Sequence, residues 1–219
     1  MIRLISFEGG DGSGKSTQLE LLAGYLAKRG ISCWCTREPG GTTLGKMLRK
    51  VLLELRNKPI SPETELFLYL ADRAQHVQEV IEPAIAGGQL VLCDRFTDST
   101  LAYQGYGRGV DLDVLRRMNS IASREIVPDL TFLLDCPVGV GLSRTQTRSS
   151  GRAPRSSAKA NAEDRFERES ALFHERVRRG FLELAQADPA RIVVIDASRS
   201  VAAIRQEIAA IVSRKLRDS

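Results

Sequence analysis

A glycine-rich segment near the start of the chain carries the residues with the clearest chemistry. It has the spacing G-x-x-x-x-G-K-S, follows the apolar run 4–7, and contains Gly9, Gly10, Asp11, Gly12, Ser13, Gly14, Lys15 and Ser16. Glycines let successive backbone N–H groups converge on one anion, and the N-terminus of a following helix adds partial positive charge. Lys15 can reach the β- and γ-phosphates of a nucleotide, and the Ser16 hydroxyl suits Mg²⁺. The spacing therefore predicts a phosphate loop that binds a nucleoside triphosphate.

Two charged residues follow an apolar, strand-like run in the middle of the chain. Asp94 ends the run 89–93, and Arg95 comes directly after it. A carboxylate at the end of a strand beside a phosphate loop can hold Mg²⁺ directly or through water. Arg95 offers a planar pair of donors to a second phosphate. The alternative, an Asp–Arg pair that only caps a helix, stays open at this point.

A tyrosine and an arginine share one face of a predicted helix. Tyr69 and Arg73 are four residues apart, whereas Leu66 and Leu70 mark the packed side. The ring can stack on a base while the guanidinium bonds a base carbonyl or a phosphate. The pattern favours a nucleotide-binding face, with an ordinary core position for Tyr69 as the alternative.

The alternation of strand-like and helical patterns along the chain predicts the fold that positions these residues. The predicted strands cover residues 3–7, 32–36, 89–93, 130–136 and 191–196. The predicted helices cover residues 15–29, 43–55, 62–86, 111–126, 138–148, 164–187 and 201–217. Buried strands separated by helices predict an α/β fold, a five-stranded parallel sheet with helices on both faces. Ligands of such sheets bind at the carboxyl ends of the strands.

One segment breaks this alternation. Residues 149–162 are rich in Ser, Gly, Pro and Ala and lack hydrophobic periodicity. The segment is either a linker or a mobile lid, and the chain that follows is too short for an independent core. We therefore expect a single domain over residues 1–219 with a lid at about 149–163.

The distribution of charge supports the lid interpretation. Most of the net charge of +5 lies in residues 144–168. A protein that binds DNA usually spreads positive charge over a broad face, whereas one basic stretch suits the clamping of a polyphosphate. We expect no nucleic-acid partner.

Composition also bears on the location of the protein. No run of about 18 apolar residues could cross a membrane, and we identify no secretory signal before the first strand. The cysteines, Cys33, Cys35, Cys93 and Cys136, lack zinc-finger spacing. We expect buried free thiols and a cytoplasmic protein without a membrane partner.

Taken in order, the motifs resemble those of the bacterial thymidylate kinase family. The resemblance rests on FEGGDGSGKST, TREPGGT, LYLADRAQHV, CDRFTDSTLAYQG, PDLTFLLD and EDRFERE, from residue 7 to about residue 169. Adenylate and deoxyguanosine-type kinases share the loop but not this combination. The resemblance implies a P-loop NTPase fold of the nucleoside monophosphate kinase type, usually homodimeric. The implied reaction moves the γ-phosphoryl group of ATP to dTMP with Mg²⁺, giving dTDP and ADP.

The resemblance also implies an acceptor site. Tyr69 matches the thymine-stacking position, Arg73 the arginine that reaches thymine and the monophosphate, and Thr100 the residue near thymine N3. Tyr103 matches the tyrosine that crowds the sugar 2′ position and so favours deoxyribose. The implied dTMP-binding residues are Asp11, Tyr69, Arg73, Arg95, Thr100, Tyr103 and Gln104.

On the ATP side, the resemblance implies binding by residues 9–17, with Thr17 the last of them, and packing of Arg144 on adenine. Ser16 and Asp94 are the implied metal ligands. Gly12 stands where other members of the family have a phosphate-clamping arginine. The resemblance therefore implies a clamp from the lid. The implied catalytic residues are Lys15, Arg95 and the lid arginines Arg148, Arg152 and Arg155.

Three alternatives stay open beside this interpretation. Another nucleotide or nucleoside kinase would share the phosphate loop. A regulatory GTPase should carry N-K-x-D, but the Asn57-Lys58 pair is followed by Pro59-Ile60. An ATPase that binds nucleic acid through the basic stretch would show strong salt-sensitive binding.

Overall fold

Strands and helices alternate in the computed structural model of the protein, which describes residues 2–54, 60–150 and 169–217. The strands are β1 (Leu4–Glu8), β2 (Cys33–Arg37), β3 (Leu90–Asp94), β4 (Leu130–Asp135) and β5 (Ile192–Asp196). The helices are α1 (Lys15–Ala27), α2 (Thr43–Glu54), α3 (Pro62–His76), α4 (Glu82–Ala86), α5 (Thr97–Thr100), α6 (Leu112–Ala122), α7 (Val138–Ser150), α8 (Ala171–Ala187) and α9 (Val201–Arg217). Two π-helical segments extend helices, Val77–Ile81 after α3 and Leu101–Gly107 after α5.

The strands form one sheet in the order β2-β3-β1-β4-β5, and every neighbouring pair is parallel. β1 lies in the centre and is buried along its whole length. Phe7 near its carboxyl end pairs in register with Asp94 at the end of β3. The phosphate loop and the predicted metal ligand therefore leave the sheet side by side, and the predicted fold class is confirmed.

Both faces of the sheet are covered by helices. Alternate residues of a strand point to opposite faces, so Phe132 of β4 packs with α1 and α9 while the adjacent Leu133 packs with α3, α6 and α8. The rings of Phe7 and Phe132 lie 5.5 Å apart between their centroids. This packing on two sides holds the carboxyl ends of β1 and β3 rigidly at the edge where the site forms.

The predicted elements match the observed ones closely. The predicted helix 62–86 is the continuous run of α3, the first π-helical segment and α4, and the Ser61 hydroxyl caps its start by accepting from the Thr64 N–H. The helix predicted over 164–187 begins at Ala171, because Ser170 is its N-cap, and residues 164–168 lie outside the described ranges. Most of the predicted lid, from residue 151 onward, also lies outside them.

The expectation of buried strands and buried thiols is wrong for β2. This strand is at the edge of the sheet, so one side of it lacks a neighbouring strand, and Cys35 is exposed there while Cys33 is half-buried. Cys93 and Cys136 are buried as predicted, and all four thiols are free.

The sequence patterns do not predict α5 or the π-helical segment after it. Residues 97–107 begin with four polar residues, Thr97–Thr100, and contain two glycines, so they show no helical periodicity. Packing explains the glycines: a Cβ built at Gly105 would lie 2.5 Å from Leu112, and one at Gly107 would lie 2.7 Å from the Phe173 ring. Tertiary contacts with α6 and α8 therefore impose this helix. Within the described ranges, no helix combines the length and apolarity needed to cross a membrane.

The phosphate loop and the first turn of α7 touch through their backbones. A Cβ built at Gly12 would lie 2.0 Å from the Gly141 carbonyl oxygen, and one at Gly141 would lie 2.4 Å from the Asp11 carbonyl oxygen. Gly12 also has φ +72°, a left-handed conformation that favours glycine. The two glycines make this close approach possible.

We predict that Gly141→Ala destabilises the protein by about 1–3 kcal/mol, the usual scale of overpacking, because its methyl group meets a fixed backbone oxygen. Gly139→Ala is the matched control in the same helix, where a Cβ meets nothing within 4 Å. The control should gain up to about 1 kcal/mol from helix propensity. Urea unfolding of both variants tests this, and equal stability of the two would contradict the close contact.

Candidate active site

The phosphate loop joins β1 to α1, and Lys15 is the first residue of α1. The Lys15 side chain is only 7% exposed, and its Nζ donates to the carbonyl oxygens of Gly9 (3.1 Å) and Gly10 (2.8 Å). Burial and the neighbouring charge of Arg95 lower the pKa of Lys15 to about 8. The ammonium group is thus held within the loop whose amides are suited to phosphates.

A hydroxyl and a carboxylate meet beside the loop. Ser16 Oγ donates a hydrogen bond to Asp94 Oδ2, joining the start of α1 to the end of β3. Both side chains line the same pocket. This pair supplies two oxygen ligands of the kind that Mg²⁺ prefers.

Arg95 connects the end of β3 to the phosphate loop. Its guanidinium donates to the Gly9 carbonyl oxygen (3.0 Å), to Asp11 Oδ1 (2.7 Å) and to Tyr103 Oη (3.2 Å). Burial alone would raise the pKa of Asp11, but the charges of Arg95 and Lys15 outweigh it and hold that pKa below its ordinary value. Asp11 is therefore a carboxylate, and it orients Arg95 toward the pocket.

Arg73 of α3 is the most enclosed cation of the site, with 2% exposure. Its Nε donates to Glu38 Oε2 (2.8 Å), its Nη1 to Thr100 Oγ1 (2.9 Å) and to Asn119 Oδ1, and its Nη2 to the Phe96 carbonyl oxygen (3.0 Å). These partners come from three separate parts of the chain, since Phe96 and Thr100 belong to the same segment. The guanidinium is consequently fixed in one position at the wall of the pocket.

One pocket brings most of the predicted residues together. Those that line it are Asp11, Gly12, Lys15, Ser16, Tyr69, Arg73, Asp94, Arg95, Thr100, Tyr103 and Gln104. Gln104 Nε2 also donates to the buried Glu65 (2.9 Å). Gly9 and Gly10 line a smaller cavity next to β4 and α7. The loop, the end of β3 and the π-helical segment thus face a single space.

The other predicted residues do not line this pocket or lie outside the part of the chain that the structure describes. Ser13 is buried within the loop, and Thr17 is exposed on α1. Arg144 on α7 donates to the Ala197 carbonyl oxygen (3.0 Å). The side chain of Arg148 is outside the described part of the chain, as are the lid arginines Arg152 and Arg155.

Several residues at this site have no role predicted from the sequence. Glu38 binds Arg73, Asn119 binds the same guanidinium from α6, and Arg49 lines the pocket while donating to the Pro39 carbonyl oxygen (2.9 Å). The only available signal was the position of Glu38 directly after a strand. Asn119 and Arg49 lie in amphipathic helices, where nothing in the sequence distinguishes them.

The pocket defines a class of protein. It joins an anion-binding loop and an oxygen pair suited to Mg²⁺ with two arginines in the same space, so it can align two phosphate groups. This arrangement is that of a phosphate-loop phosphotransferase whose acceptor is itself an anion.

Comparisons with known proteins narrow the class. The family model described as "Thymidylate kinase" matches residues 7–208. The chain is 54% identical to a thymidylate kinase of Desulfovibrio desulfuricans, covering 89% of this chain and 88% of the relative, and 52% identical to one of Geobacter sulfurreducens, covering 94% and 93%. The crystal structure of thymidylate kinase from Ehrlichia chaffeensis matches with a TM-score of 0.73 at 32% identity, covering 96% of this chain and 98% of that one. The chain belongs to the thymidylate kinase family, and the resemblance seen in its motifs is confirmed.

We predict that Glu38→Gln destabilises the protein by about 2–3 kcal/mol, because a hydrogen bond to a buried charged group is lost at Arg73. Glu38 Oε1 also lies 2.9 Å from His76 Nδ1, so the substitution affects the contacts with both Arg73 and His76.

Asp113→Asn is the control for this test. Asp113 forms an ion pair of the same length, 2.8 Å, with Arg116, but both side chains are more than half exposed. Exposed pairs contribute little. Chemical denaturation of both variants should show a much larger loss for Glu38→Gln, and similar losses would refute the importance of burial.

Proposed function

We propose that the two walls of this one pocket hold the two substrates of the family reaction. The chain transfers the γ-phosphoryl group of ATP to dTMP, giving dTDP and ADP. In this proposal ATP places its phosphates on the phosphate loop, and dTMP lies against α3 and the π-helical segment. The observation that carries the proposal is the single pocket shared by Lys15, Arg73 and Arg95.

On the ATP side, the loop amides and Lys15 bind the β- and γ-phosphates. Phosphoryl transfer has a loose transition state in which charge spreads over the phosphate oxygens, so fixed positive groups are the main catalytic requirement. Lys15 supplies one of these groups from a buried position. We assign the adenine-packing position to Arg144, whose α7 helix touches the loop at Gly141.

On the acceptor side, Arg95 and Arg73 hold the phosphate of dTMP. An oxygen of that phosphate attacks the γ-phosphorus of ATP, and the bond from the γ-phosphorus to the bridging oxygen of ADP breaks. The attacking oxygen is already anionic and needs no strong general base. Tyr69 lines the same wall and would stack on thymine, with Thr100 and Gln104 beside it.

Two further assignments concern the sugar. Tyr103 lies beside Arg95 and Asp11, with its hydroxyl 3.2 Å from Arg95 and 3.3 Å from Asp11. We assign to it the discrimination against a ribose 2′-hydroxyl, and to Asp11 the contact with the sugar 3′-hydroxyl.

The residues present fit Mg²⁺. Within the described residues there is no cluster of three or more His, Cys, Asp or Glu side chains that could enclose a metal ion. Mg²⁺ bound with a nucleotide needs only one or two protein oxygens, since phosphates and water complete its shell. Ser16 and Asp94 would hold it, and it would neutralise charge that builds up on the phosphate oxygens.

A further positive group would come from the arginines before and within residues 149–163. The loop position Gly12 has no room for a side chain, because a Cβ there would meet the Gly141 carbonyl oxygen at 2.0 Å. We therefore assign the phosphate clamp to the set Arg148, Arg152 and Arg155, on a segment that would close over the substrates and exclude water.

A homodimer is also part of the proposal. Leu44, Met47 and Val51 are exposed apolar residues on one face of α2, and Phe67 is exposed on α3, which packs against α2. A cluster of exposed apolar side chains is typical of a protein–protein interface. A cytoplasmic location, with ATP and dTMP as small-molecule partners, stays a prediction.

We predict that Arg95→Ala raises the KM for dTMP by at least roughly tenfold, the scale of one lost charged hydrogen bond, with a much smaller change in the KM for ATP. Lys15→Ala is the comparison, and it should abolish turnover. Initial rates in a coupled ADP-release assay distinguish the two. Equal changes for both substrates in Arg95→Ala would contradict the acceptor role.

We predict that Met47→Glu dissociates the dimer, because a charge would be buried at the centre of the α2 face. Val201→Glu on α9 is the control, since Val201 is 54% exposed and Met47 58%. Light scattering after size-exclusion chromatography reports the mass. A dimeric Met47→Glu protein, or a monomeric control, would contradict this interface.

A further inference from the structure

Arg95 holds an unfavourable backbone conformation. Its φ is +70°, in the left-handed region that side chains other than glycine rarely adopt. This conformation turns the chain sharply after β3 and directs the guanidinium back to the phosphate loop, where it meets the Gly9 carbonyl oxygen and Asp11. A strained backbone persists only where neighbouring groups hold it. The groups that hold Arg95 are therefore part of how the acceptor site is built.

Glu8 is the side chain that holds this turn. It is the last residue of β1, and its exposure is 0%. Oε1 accepts from the Phe96 N–H (2.7 Å) and the Ser99 N–H (3.3 Å), and Oε2 accepts from the Ser99 hydroxyl. The Arg95 N–H itself donates to the Phe7 carbonyl oxygen (3.0 Å). Both sides of the strained residue are thus bonded to the end of β1.

Through the same contacts, the Glu8 side chain caps the start of α5. Phe96 occupies the N-cap position but has no side chain that can accept a hydrogen bond, and Ser99 is the third residue of the helix. The Glu8 carboxylate accepts from these two N–H groups in place of a local capping side chain. A carboxylate is also the favourable charge at a helix N-terminus.

Burial opposes the charge on Glu8. Burial and then Asp98 raise the pKa of Glu8 to about 7, while the hydrogen bond from Ser99 and the charge of Arg95 act in the opposite direction. No step of the proposed reaction uses this carboxylate. Its donors all belong to the Arg95 turn and to α5.

We propose that Glu8 is a positioning residue for dTMP, which holds the Arg95–Ser99 turn so that the Arg95 guanidinium faces the acceptor phosphate. The inference rests on the proposed role of Arg95. It adds a residue that touches neither substrate and acts through the backbone of its neighbours.

Glu8→Gln tests the inference, because glutamine keeps the shape but loses the charge and one acceptor oxygen. The KM for dTMP should rise roughly tenfold or more, while the KM for ATP and kcat change less than about threefold. Glu8→Asp keeps the charge, but its shorter side chain moves the carboxylate away from the Phe96 N–H. The KM for dTMP should therefore rise in this variant too. Glu20→Gln, an exposed carboxylate on α1, is the matched control and should behave as wild type.

A double-mutant cycle with Arg95→Ala shows whether the effect passes through Arg95. Once Arg95 is removed, Glu8→Gln should add less than about twofold to the KM for dTMP. Additive effects, equal rises for both substrates, or full recovery of the wild-type KM by Glu8→Asp would each overturn the inference. If Glu8→Gln does not fold, Ser99→Ala must raise the KM for dTMP about threefold with the KM for ATP unchanged, and otherwise the inference is wrong.

Two outcomes separate this inference from the proposed function. If Arg95→Ala leaves the KM for dTMP unchanged, the acceptor role of Arg95 is wrong and the inference falls with it. If Arg95→Ala raises that KM and Glu8→Gln does not, only the role of Glu8 is wrong.

Discussion

The concentration of positive charge in one cleft is the constraint on which the rest of this structure depends. Two aligned phosphate groups require several cations within a small space, and these cations repel one another. The fold places a carboxylate beside each arginine: Asp11 beside Arg95 and Glu38 beside Arg73. The negative charge of Asp94 likewise favours the charged form of Lys15. The site is therefore a set of ion pairs that are already oriented before phosphate charge is added.

The sheet order explains how these pairs come together. Because β1 and β3 are parallel neighbours, the phosphate loop and the Asp94–Arg95 turn leave the sheet at the same edge. The remaining cation, Arg73, comes from α3, and its partner Glu38 follows β2 on the far side of β3. A parallel sheet thus gathers at one edge residues that are far apart in the chain.

Sequence patterns predicted those parts of the molecule whose structure is determined by residues close together in the chain. The phosphate loop was identifiable from glycine spacing, and the ends of the helical run 62–86 from a Ser-Pro start and a Gly-Gly end. The α5 region was missed because its helix is imposed by Glu8 and by packing on Phe173, neither of which leaves a periodic signal. The edge position of β2 and the partners of Arg73 likewise depend on which elements become neighbours, and one sequence does not specify that. The family motifs assigned roles to residues that line the pocket, but not to the residues that hold those side chains in place.

The contact between Gly12 and Gly141 has a mechanical consequence. Flexible side chains between two segments absorb small displacements, but here backbone meets backbone. A shift of the loop by a few tenths of an ångström must be passed on to the first turn of α7 rather than dissipated. The contact thus couples the position of the loop to that of α7, the helix that also carries Arg144.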